Sequence, residues 1–300
     1  MLLTELRPSQ LEAVEKAKTL GGFALYGQQR TGKTLTAIAL MDTWKPPHVL
    51  IVCRTKGISV WQLELQKHWE ADWDVSIEIL SFGEFIYHRD QWIRWAKKLK
   101  GDLMVIVDES HRIKRRGSKS SRGLRTLGRQ AKYRLILSGT PISQGNQDAW
   151  AQFDFIQPGV FGTYQEFEDR FLNVVTVHTP DKSWKKIKGP KNLKEFNRIY
   201  HQYCYRVTLD EVRGKRTMIR RVQKTAELSP VNRLLYDTIM DELEAECNGF
   251  FVETAEKLGA ILKCQQITGG FVKDADGEWR QTGTEKLDLL CKTIEEYELT

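Results

Sequence analysis

The sequence predicts an α/β protein in which a parallel sheet is flanked by helices, and three observations support this fold class. Short apolar runs alternate with helical patterns over about the first 140 residues. A glycine-bearing turn joins the first apolar run to a helical segment, and two later apolar runs end directly in polar residues. This alternation is typical of a parallel sheet, because parallel strands need crossover connections, usually helical ones, to run in the same direction.

The predicted strands are short and almost wholly apolar, as expected for strands that are buried on both faces. They are Gly22–Tyr26, His48–Cys53, Val75–Leu80, Leu103–Val107 and Tyr133–Leu137. The helical segments between them are Thr34–Trp44, about Val60–Trp69 and Gln91–Leu99. Pro46 and Pro47 end the first of these helices, because proline has no N–H for the helical hydrogen-bond ladder.

Beyond Trp150 the chain is predicted to be largely helical and rich in aromatic residues. The segment Lys182–Lys194 is rich in lysine, glycine and proline and predicts an exposed loop. The later elements are predicted as a short strand from about Arg216 and as helices at Val231–Cys247, about Thr254–Thr268 and Glu285–Tyr297.

The composition excludes several classes of protein. The 300 residues are 41% hydrophobic and 28% charged, which argues against wholesale disorder and favours about two folded units. No window approaches the roughly 18 uninterrupted apolar residues of a membrane-spanning helix, so we exclude an integral membrane protein. The N-terminus turns polar after three residues and does not resemble a signal peptide. The five cysteines are scattered without a CxxC pair, which indicates a reducing compartment and argues against a zinc site.

Positive charge is concentrated in parts of the chain. The formal net charge is 46 − 39 = +7, yet Ser110–Gln147 alone holds ten Lys and Arg residues and no acid. A second acid-free run carries six basic residues between Arg213 and Lys224. A concentrated basic block fits a polyanionic partner such as nucleic acid, and the alternative is a solvated basic surface.

A phosphate-binding pattern follows the first predicted strand and opens the first predicted helix. Gly27–Thr34 (GQQRTGKT) matches GxxxxGK[ST], the Walker A pattern. Its glycines let backbone N–H groups surround phosphate oxygens, and the helix N-terminus adds positive potential. Lys33 would reach the β- and γ-phosphates, and Thr34 would offer its hydroxyl to Mg²⁺. The predicted nucleotide contacts in this loop are Gly27, Thr31, Gly32, Lys33 and Thr34.

Two further strand ends carry residues suited to the same chemistry. Val105–His111 (VIVDESH) places Asp108 and Glu109 at the carboxyl end of a strand, the edge at which α/β proteins bind ligands. Asp108 would hold Mg²⁺, and Glu109 would orient or deprotonate the attacking water. Leu137–Ile142 (LSGTPI) follows the next strand and predicts a shaped loop with hydroxyl donors.

The order of the phosphate loop, DESH and SGTPI resembles that of the superfamily 2 helicase-like ATPases, and most closely their Swi/Snf-related branch. Leu6–Gln10 (LRPSQ) is similar to the opening LRPYQ of that branch, with Ser9 in place of the tyrosine. Asp108–Lys114 (DESHRIK) is similar to its DEAHRIK. Further matches are Ile51–Thr55 with Trp61 and Glu64, Leu80–Phe82, and a run of Ser138–Ile142, Asn146, Trp150, Pro158, Phe161, Phe167 and Arg170–Phe171.

The resemblance implies a RecA-like P-loop NTPase sheet with a helical insertion and a partial second lobe. Residues 1–215 would form the first ATP-binding lobe, with the helical insertion at about 150–205. Residues 216–300 would form a linker and the helical start of a truncated second lobe. The implied activity is ATP hydrolysis with Mg²⁺, coupled to movement along double-stranded DNA.

The resemblance also implies roles for residues outside the phosphate loop. Arg7, Gln10 and His111 would contact the nucleotide, with Gln10 reading the adenine edge. Ser138, Gly139 and Thr140 would couple the nucleotide site to the rest of the motor, with His111 linking the two. The implied nucleic-acid contacts are Arg54, Thr55, Lys56, Ser81 and Phe82. We expect part of the basic block to touch the phosphate backbone as well, without reading bases.

The second lobe of such motors supplies an arginine finger, and this chain contains no QxxGRxxR-type motif. The lobe is expected either in a longer version of the same chain or in a separate polypeptide. Because arginine fingers contribute about 10³–10⁵-fold to turnover, we expect nucleotide binding with weak hydrolysis.

Three other functions are weighed against a DNA translocase. A regulatory switch or scaffold would bind nucleotide and gate a partner without translocating. A strand-separating helicase is disfavoured by the FG…F…RF segment, and a metabolic P-loop enzyme is disfavoured by DESH followed by SGTPI. The compact motor, with no chromatin-reading module or nuclease motif, leads us to expect an intracellular, cytoplasmic protein of a bacterium or phage.

Overall fold

The computed structural model describes residues 1–179, 182–214 and 222–298. The chain divides into two compact units, Met1–Met218 and Ile219–Thr300, which are described separately. The start of the strand predicted from about Arg216 lies outside the described residues. So do most basic residues of the second acid-free run, namely Lys215, Arg216, Arg220 and Arg221.

The first unit is built on a six-stranded parallel sheet, which confirms the predicted fold class. Its strand order is β3-β2-β4-β5-β1-β8, and every neighbouring pair is parallel. The five predicted strands are all present, and β8 adds a sixth at the edge beside β1. The strands of the first unit are β1 (Gly22–Gly27), β2 (His48–Cys53), β3 (Ser76–Ser81), β4 (Gly101–Asp108), β5 (Ala131–Ser138), β6 (Leu172–His178), β7 (Ser183–Pro190) and β8 (Cys204–Val207).

Helices cover both faces of this sheet, which explains why the strands are apolar throughout. They are α1 (Pro8–Ala17), α2 (Lys33–Trp44), α3 (Gly57–His68), α4 (Phe82–Tyr87), α5 (Arg89–Lys98), α6 (Lys119–Gly128), α7 (Gln147–Ile156), α8 (Tyr164–Phe171), α9 (Leu193–Gln202) and α10 (Leu209–Arg213). One core packs α1, α2 and α3 on the sheet. The other contains an aromatic cluster from α7, α8 and α9, including Phe153, Phe167 and Phe196. Among the described residues, no helix has the length and apolarity needed to cross a bilayer.

The insertion after α7 is not purely helical. The prediction of an exposed loop at Lys182–Lys194 is wrong, because the segment contains β7. β6 and β7 pair as an antiparallel hairpin between α8 and α9. Val174 and Ile187 face each other in this hairpin and pack against the aromatic core. Burial of these two side chains, rather than local composition, makes the segment a strand.

The second unit is a small helical bundle with two hairpins. Its elements are α11 (Pro230–Glu242), β9 (Glu244–Cys247), β10 (Phe250–Glu253), α12 (Lys257–Thr268), β11 (Phe271–Lys273), β12 (Trp279–Gln281) and α13 (Glu285–Glu298). The helix predicted over Val231–Cys247 ends earlier, at Glu242. Leu243 has a left-handed backbone (φ +68°), and the chain then turns through Asn248 and Gly249, both with positive φ. The core contains Leu235, Ile239, Cys264 and Ile267.

Candidate nucleotide-binding site

The predicted site residues lie at the carboxyl ends of five neighbouring strands, in an order set by the sheet topology. Ser81 ends β3, Arg54 follows β2, Asp108 ends β4, Ser138 ends β5 and Gly27 ends β1. Parallel strands lie about 4.8 Å apart, so residues at adjacent ends come close together. The order therefore places the two acids between the predicted nucleic-acid contacts and the phosphate loop (Gly27–Thr34).

Two glycines of the phosphate loop are required by close contacts. Gly32 caps α2 with a left-handed backbone (φ +86°), and a Cβ there would lie 2.5 Å from Gln10 Nε2. A Cβ on Gly27 would lie 2.4 Å from the Thr31 hydroxyl, which donates to the Gln28 carbonyl at 2.8 Å. The loop is therefore tightly wound around its own backbone.

Lys33 is the first residue of α2, and its ammonium group points back into the loop. Nζ donates to the carbonyls of Gly27 at 2.8 Å and Gln28 at 3.0 Å. Burial lowers the pKa of Lys33, and the nearby charges of Asp108 and Glu109 oppose that shift. The ammonium group thus occupies a partly desolvated position between the loop and the two acids, where a phosphate oxygen would find it.

Gln10 lies beside the phosphate loop, and its expected contact with the adenine edge stays a prediction. Its side chain is only 3% exposed. Its Oε1 accepts the Arg7 backbone N–H at 2.9 Å, and its Nε2 donates to the Gly32 carbonyl at 3.1 Å. Gln10 therefore joins α1 to the phosphate loop, while the exposed side chain of Arg7 remains free to contact a nucleotide.

Asp108 is held by two hydrogen bonds at the end of β4. The Glu109 backbone N–H donates to its Oδ1 at 2.8 Å, and the indole of Trp61 donates to its Oδ2 at 3.2 Å. Burial raises the pKa of Asp108, and both hydrogen bonds oppose that rise. Trp61 was named from the sequence only as part of the family match that follows Ile51–Thr55, without a contact to Asp108, and it is 1% exposed. A buried tryptophan normally needs a hydrogen-bond acceptor for its indole N–H, and this rule could have indicated that Trp61 has such a partner.

The residues present fit a bound Mg²⁺, for which oxygen ligands, retained waters and substrate phosphates are typical. Asp108 keeps unused acceptor capacity on both carboxylate oxygens, since each accepts only one bond. Thr34 is the second residue of α2 and lies half-buried next to Lys33. Among the described residues, no cluster of three or more His, Cys, Asp or Glu could hold a metal ion by itself. The ion would therefore depend on phosphate oxygens in addition to these two residues.

Glu109 and His111 connect the acids to neighbouring strand ends. Glu109 has a left-handed backbone (φ +54°), which is uncommon for a residue with a side chain. His111 Nδ1 lies 3.2 Å from Glu109 Oε2 and 3.5 Å from the Ser138 hydroxyl. Its Nε2 lies 3.4 Å from Arg54 Nη2. One imidazole therefore touches the ends of β2, β4 and β5.

The loop Ser138–Ile142, here called the hydroxyl loop, faces the phosphate loop. Ser138 is fully buried and its hydroxyl accepts the Thr140 backbone N–H at 3.2 Å. A Cβ on Gly139 would lie 3.5 Å from the Gly27 carbonyl oxygen. A cavity of about 410 Å³ opens beside the two loops and is lined in part by Gln28, Thr140 and Arg206.

The five predicted nucleic-acid residues fall into two groups. Arg54, Thr55 and Lys56 are exposed after β2. Ser81 is 6% exposed and caps α4 by accepting the Glu84 N–H, and Phe82 is 5% exposed in the core. The last two side chains are committed to the fold, so only their backbone is available to a nucleic acid.

The basic block Ser110–Gln147 is likewise divided between structural and free cations. Arg125 and Arg129 both pair with Asp154 at 3.0 Å, and Lys114 pairs with Asp148 at 3.3 Å. Arg115, Lys119 and Arg122 are exposed, with no acid at ion-pair distance in the described part of the chain. Part of the block therefore stabilises the fold and part is available to a partner.

Comparisons with known proteins bear on the family of this chain. A family model described as the SNF2-related domain matches residues 30–268. The TATA-binding protein-associated factor mot1 of Schizosaccharomyces pombe is 37% identical over 224 residues, covering 61% of this chain and 11% of that protein. The chromatin-remodeling ATPase INO80 of Kluyveromyces lactis is 29% identical over 195 residues, covering 64% and 11%. The chain thus spans about a ninth of the length of these relatives.

A solved structure matches over most of the chain. The SWI2/SNF2 ATPase core of Sulfolobus solfataricus in complex with dsDNA aligns with a TM-score of 0.56 at 23% identity. The alignment covers 89% of this chain and 58% of that chain. At this level of identity the match concerns the fold alone, and it confirms the RecA-like fold class.

The expectation of a cytoplasmic protein from a bacterium or phage is wrong. The curated relatives are TATA-binding protein-associated factors and chromatin-remodeling ATPases of a plant and of fungi, such as BTAF1 of Arabidopsis thaliana and INO80 of Kluyveromyces lactis. The small size of the motor does not indicate the kind of organism, because the chain matches only a segment of these much longer proteins.

Proposed function

This chain belongs to the SNF2-related domain family, and we propose that it is the nucleotide-binding part of an ATP-dependent motor that acts on duplex DNA. One observation carries the proposal. The adjacent ends of β4, β5 and β1 bring Asp108, Ser138 and Gly27 to one edge, with the ammonium group of Lys33 near both acids. A phosphate-binding loop facing two acids and a hydroxyl-bearing loop is the arrangement that phosphoryl transfer to water requires.

Each residue has a distinct part in the proposed reaction. Lys33 leaves the carbonyls of Gly27 and Gln28 to contact the β- and γ-phosphates. Thr34 and Asp108 would hold Mg²⁺, which would supply positive charge to neutralise the phosphate oxygens. Glu109 orients the attacking water and accepts its proton, and its left-handed backbone aims the carboxylate. Thr31, Gly27 and Gly32 shape the loop, and Gln10 fixes it to α1.

The coupling to nucleic acid is proposed to pass through His111. This side chain touches Glu109 and Ser138 on the nucleotide side and Arg54 on the other. Arg54, Thr55 and Lys56 are exposed at the end of β2, where a phosphate backbone could contact them. Duplex DNA as the partner is supported by the matched Sulfolobus solfataricus core, whose structure is a complex with dsDNA.

We further propose that full turnover needs a second lobe, in the same polypeptide or in another. The chain has no arginine-finger motif, and it covers 58% of the matched motor core. Removal of an arginine finger costs about 10³–10⁵-fold in turnover. The isolated chain should therefore bind nucleotide well and hydrolyse it slowly.

Steady-state ATP hydrolysis by the chain, with and without duplex DNA at two salt concentrations, tests this function. A motor domain should show slow turnover that duplex DNA raises and added salt suppresses, because phosphate contacts release counterions. Turnover that ignores duplex DNA, with ATP binding intact, would favour a regulatory switch that binds nucleotide without translocating. Glu109→Gln is the matched variant, since it should keep ATP binding and lose hydrolysis.

A further inference from the structure

The β6–β7 hairpin carries a concentration of lysine that the proposed nucleotide site does not use. Residues 172–192 contain five lysines and a single acid, Asp181, which lies outside the described residues. The hairpin is anchored by its two ends, between α8 and α9, in an otherwise helical insertion. A lysine-rich hairpin built onto the motor sheet needs a physical explanation beyond solubility.

One face of the hairpin is structural. Val174 and Ile187 pack against the aromatic core. Lys185 lies on the same face, paired across the strands with Thr176, and its ammonium group forms an ion pair with the buried carboxylate of Glu168. Lys185 is therefore committed to holding the hairpin on α8.

The opposite face points to solvent and is both aromatic and basic. Trp184 is 48% exposed and lies directly across from Val177. Lys186 lies across from Val175, also on this face. An aromatic residue opposite a β-branched one stabilises a strand pair, so Trp184 makes the exposed face stiff. Lys188 occurs where the strand register shifts, and such a bulge redirects a side chain.

Three lysines of the hairpin are available to a partner. Lys182, Lys186 and Lys188 are here called the basic arm. They are exposed, or half-buried at most, and none has an acid at ion-pair distance within the described ranges. In a strand, alternate residues are about 6.6 Å apart, so these ammonium groups form a spaced row rather than one focus of charge.

The hairpin is attached to α8, which lies next to Arg116, an exposed cation of the basic block. The Arg116 guanidinium lies 4.1 Å over the ring of Tyr164, at the start of α8. Burial raises the pKa of Tyr164, and the charges of Arg116 and of Lys185 in the hairpin oppose the rise, so both approach this ring. Arg112 in turn lies 5.0 Å over Phe82, which follows β3. Cations therefore extend from the strand ends, through Arg112 and Arg116, to α8 and to Lys185, which holds the hairpin on α8.

We infer that the basic arm contacts the phosphate backbone of duplex DNA, beyond the contacts expected at the strand ends. This inference rests on the proposed function, since it extends the same DNA path. The spaced, unpaired lysines and the absence of described acids on the exposed face match a polyanion, and the attachment of the hairpin to α8, beside Arg116, favours the nucleic acid proposed at the strand ends. The contact is independent of base sequence, because lysines meeting phosphates carry no sequence information.

The test compares a double variant with a matched control. Lys186→Ala with Lys188→Ala removes two charges from the basic arm. Lys97→Ala with Lys98→Ala removes two exposed charges at the end of α5, which leads into the amino end of β4 on the opposite edge of the sheet. The dissociation constant for a fluorescent 20-base-pair duplex is measured against salt concentration for wild type and both variants.

The arm variant should bind the duplex about tenfold more weakly at low salt, and the magnitude of its log–log salt slope should fall by about 2. The control should keep the wild-type affinity and slope. An arm variant that behaves as the control does would overturn the inference. So would a loss of binding to anionic lipid vesicles with DNA affinity unchanged, since the arm would then serve a membrane surface.

Two further readouts keep this result separate from other failures. If wild type itself shows no duplex binding, the proposed function fails before the arm is tested. Lys185→Ala should lower thermal stability by leaving Glu168 buried without its partner, and it should not change the salt slope. ATP affinity should be equal in wild type and the arm variant, because the hairpin lies outside the phosphate loop.

Discussion

The indole N–H of Trp61 donates to Oδ2 of Asp108 over 3.2 Å, across 47 residues of sequence. Trp61 belongs to α3 and Asp108 ends β4, so the bond fixes the proposed metal-binding carboxylate to a helix on one face of the sheet. A hydrogen bond to a charged group contributes about 1.5–3 kcal/mol. The bond therefore both orients Asp108 and favours its ionised form.

Replacement of Trp61 by phenylalanine should weaken magnesium-dependent nucleotide binding on the acid side of neutrality. Burial raises the pKa of Asp108 and the indole opposes the rise, so loss of the donor raises the pKa further. Because metal binding needs the carboxylate, the acid limb of Mg·ATP binding should move to higher pH by about one pH unit. Trp69→Phe is the control, since it removes a similar bond to Asp42 at 3.0 Å. If Mg·ATP binding is lost at the same acidic pH in both variants, the proposed role of Trp61 in keeping Asp108 ionised is contradicted.

Replacement of Gly32 by alanine should damage the phosphate loop more than its backbone conformation alone explains. Gly32 and Gly101 have similar positive φ values, +86° and +99°, but only Gly32 has a close neighbour, Gln10 Nε2. Gly101→Ala should cost about 1–2 kcal/mol from the left-handed backbone. Gly32→Ala should cost more in chemical denaturation and should also weaken ATP binding. If both variants lose the same free energy of unfolding and keep the wild-type ATP affinity, the close contact between Gly32 and Gln10 does not constrain the phosphate loop.

Replacement of His111 by alanine should separate ATP binding from stimulation by DNA. His111 touches Glu109, Ser138 and Arg54, and no contact places it in the phosphate loop. We expect ATP affinity within about twofold of wild type and DNA stimulation of hydrolysis reduced by about tenfold, close to the loss of a charge-assisted hydrogen bond. His88→Ala, at an exposed histidine, should change neither quantity. An equal loss of ATP affinity would make His111 a binding residue instead.

Replacement of Glu285 by glutamine should change how the second unit responds to acid. Hydrogen bonds from the Ser229 N–H and the Asn232 amide hold its carboxylate, and its pKa is lowered to about 2, first by the Ser229 bond. A depressed pKa adds stability above the unfolded value, near 4.3, which is lost as the pH falls toward 2.

In denaturant titrations at neutral pH, Glu285→Gln should lose about 1–2 kcal/mol, a figure kept low because solvent screens this partly exposed group. Between pH 5 and pH 2 its stability should fall less steeply than that of wild type. Glu296→Gln, which breaks an exposed ion pair with Lys224, should have a smaller effect. A steeper acid dependence in Glu285→Gln would refute the assignment.

The parallel sheet and the strands that end in site residues could be predicted because most positions in buried parallel strands are apolar. His48–Cys53 was predicted to the residue, and the residue types after each strand identified the edge of the proposed site. The contacts of individual side chains were harder to predict than the strands, because they join residues that are distant in sequence. Trp61 with Asp108, and Arg125 with Asp154, are pairs that no local pattern predicts.

The hairpins were missed for different reasons. Asn248–Gly249 is a recognisable two-residue turn signal between β9 and β10, and the helix predicted over Val231–Cys247 ran across β9 up to this turn. In the β6–β7 hairpin, lysines on the strands obscure the alternation of apolar and polar residues that indicates a strand. Its position is decided by Val174 and Ile187 meeting an aromatic core assembled from three helices.

Calorimetric titration of Mg·ATP into wild type and Lys33→Ala tests the central claim most directly. Lys33 lies between the phosphate loop and the two acids, and within the described part of the chain its ammonium group bonds only to the carbonyls of Gly27 and Gln28, which a phosphate would replace. Wild type should bind one nucleotide per chain, and the variant should lose at least about 100-fold in affinity while keeping its thermal stability. Equal binding by the two folded proteins would contradict the assignment of this edge as the nucleotide site.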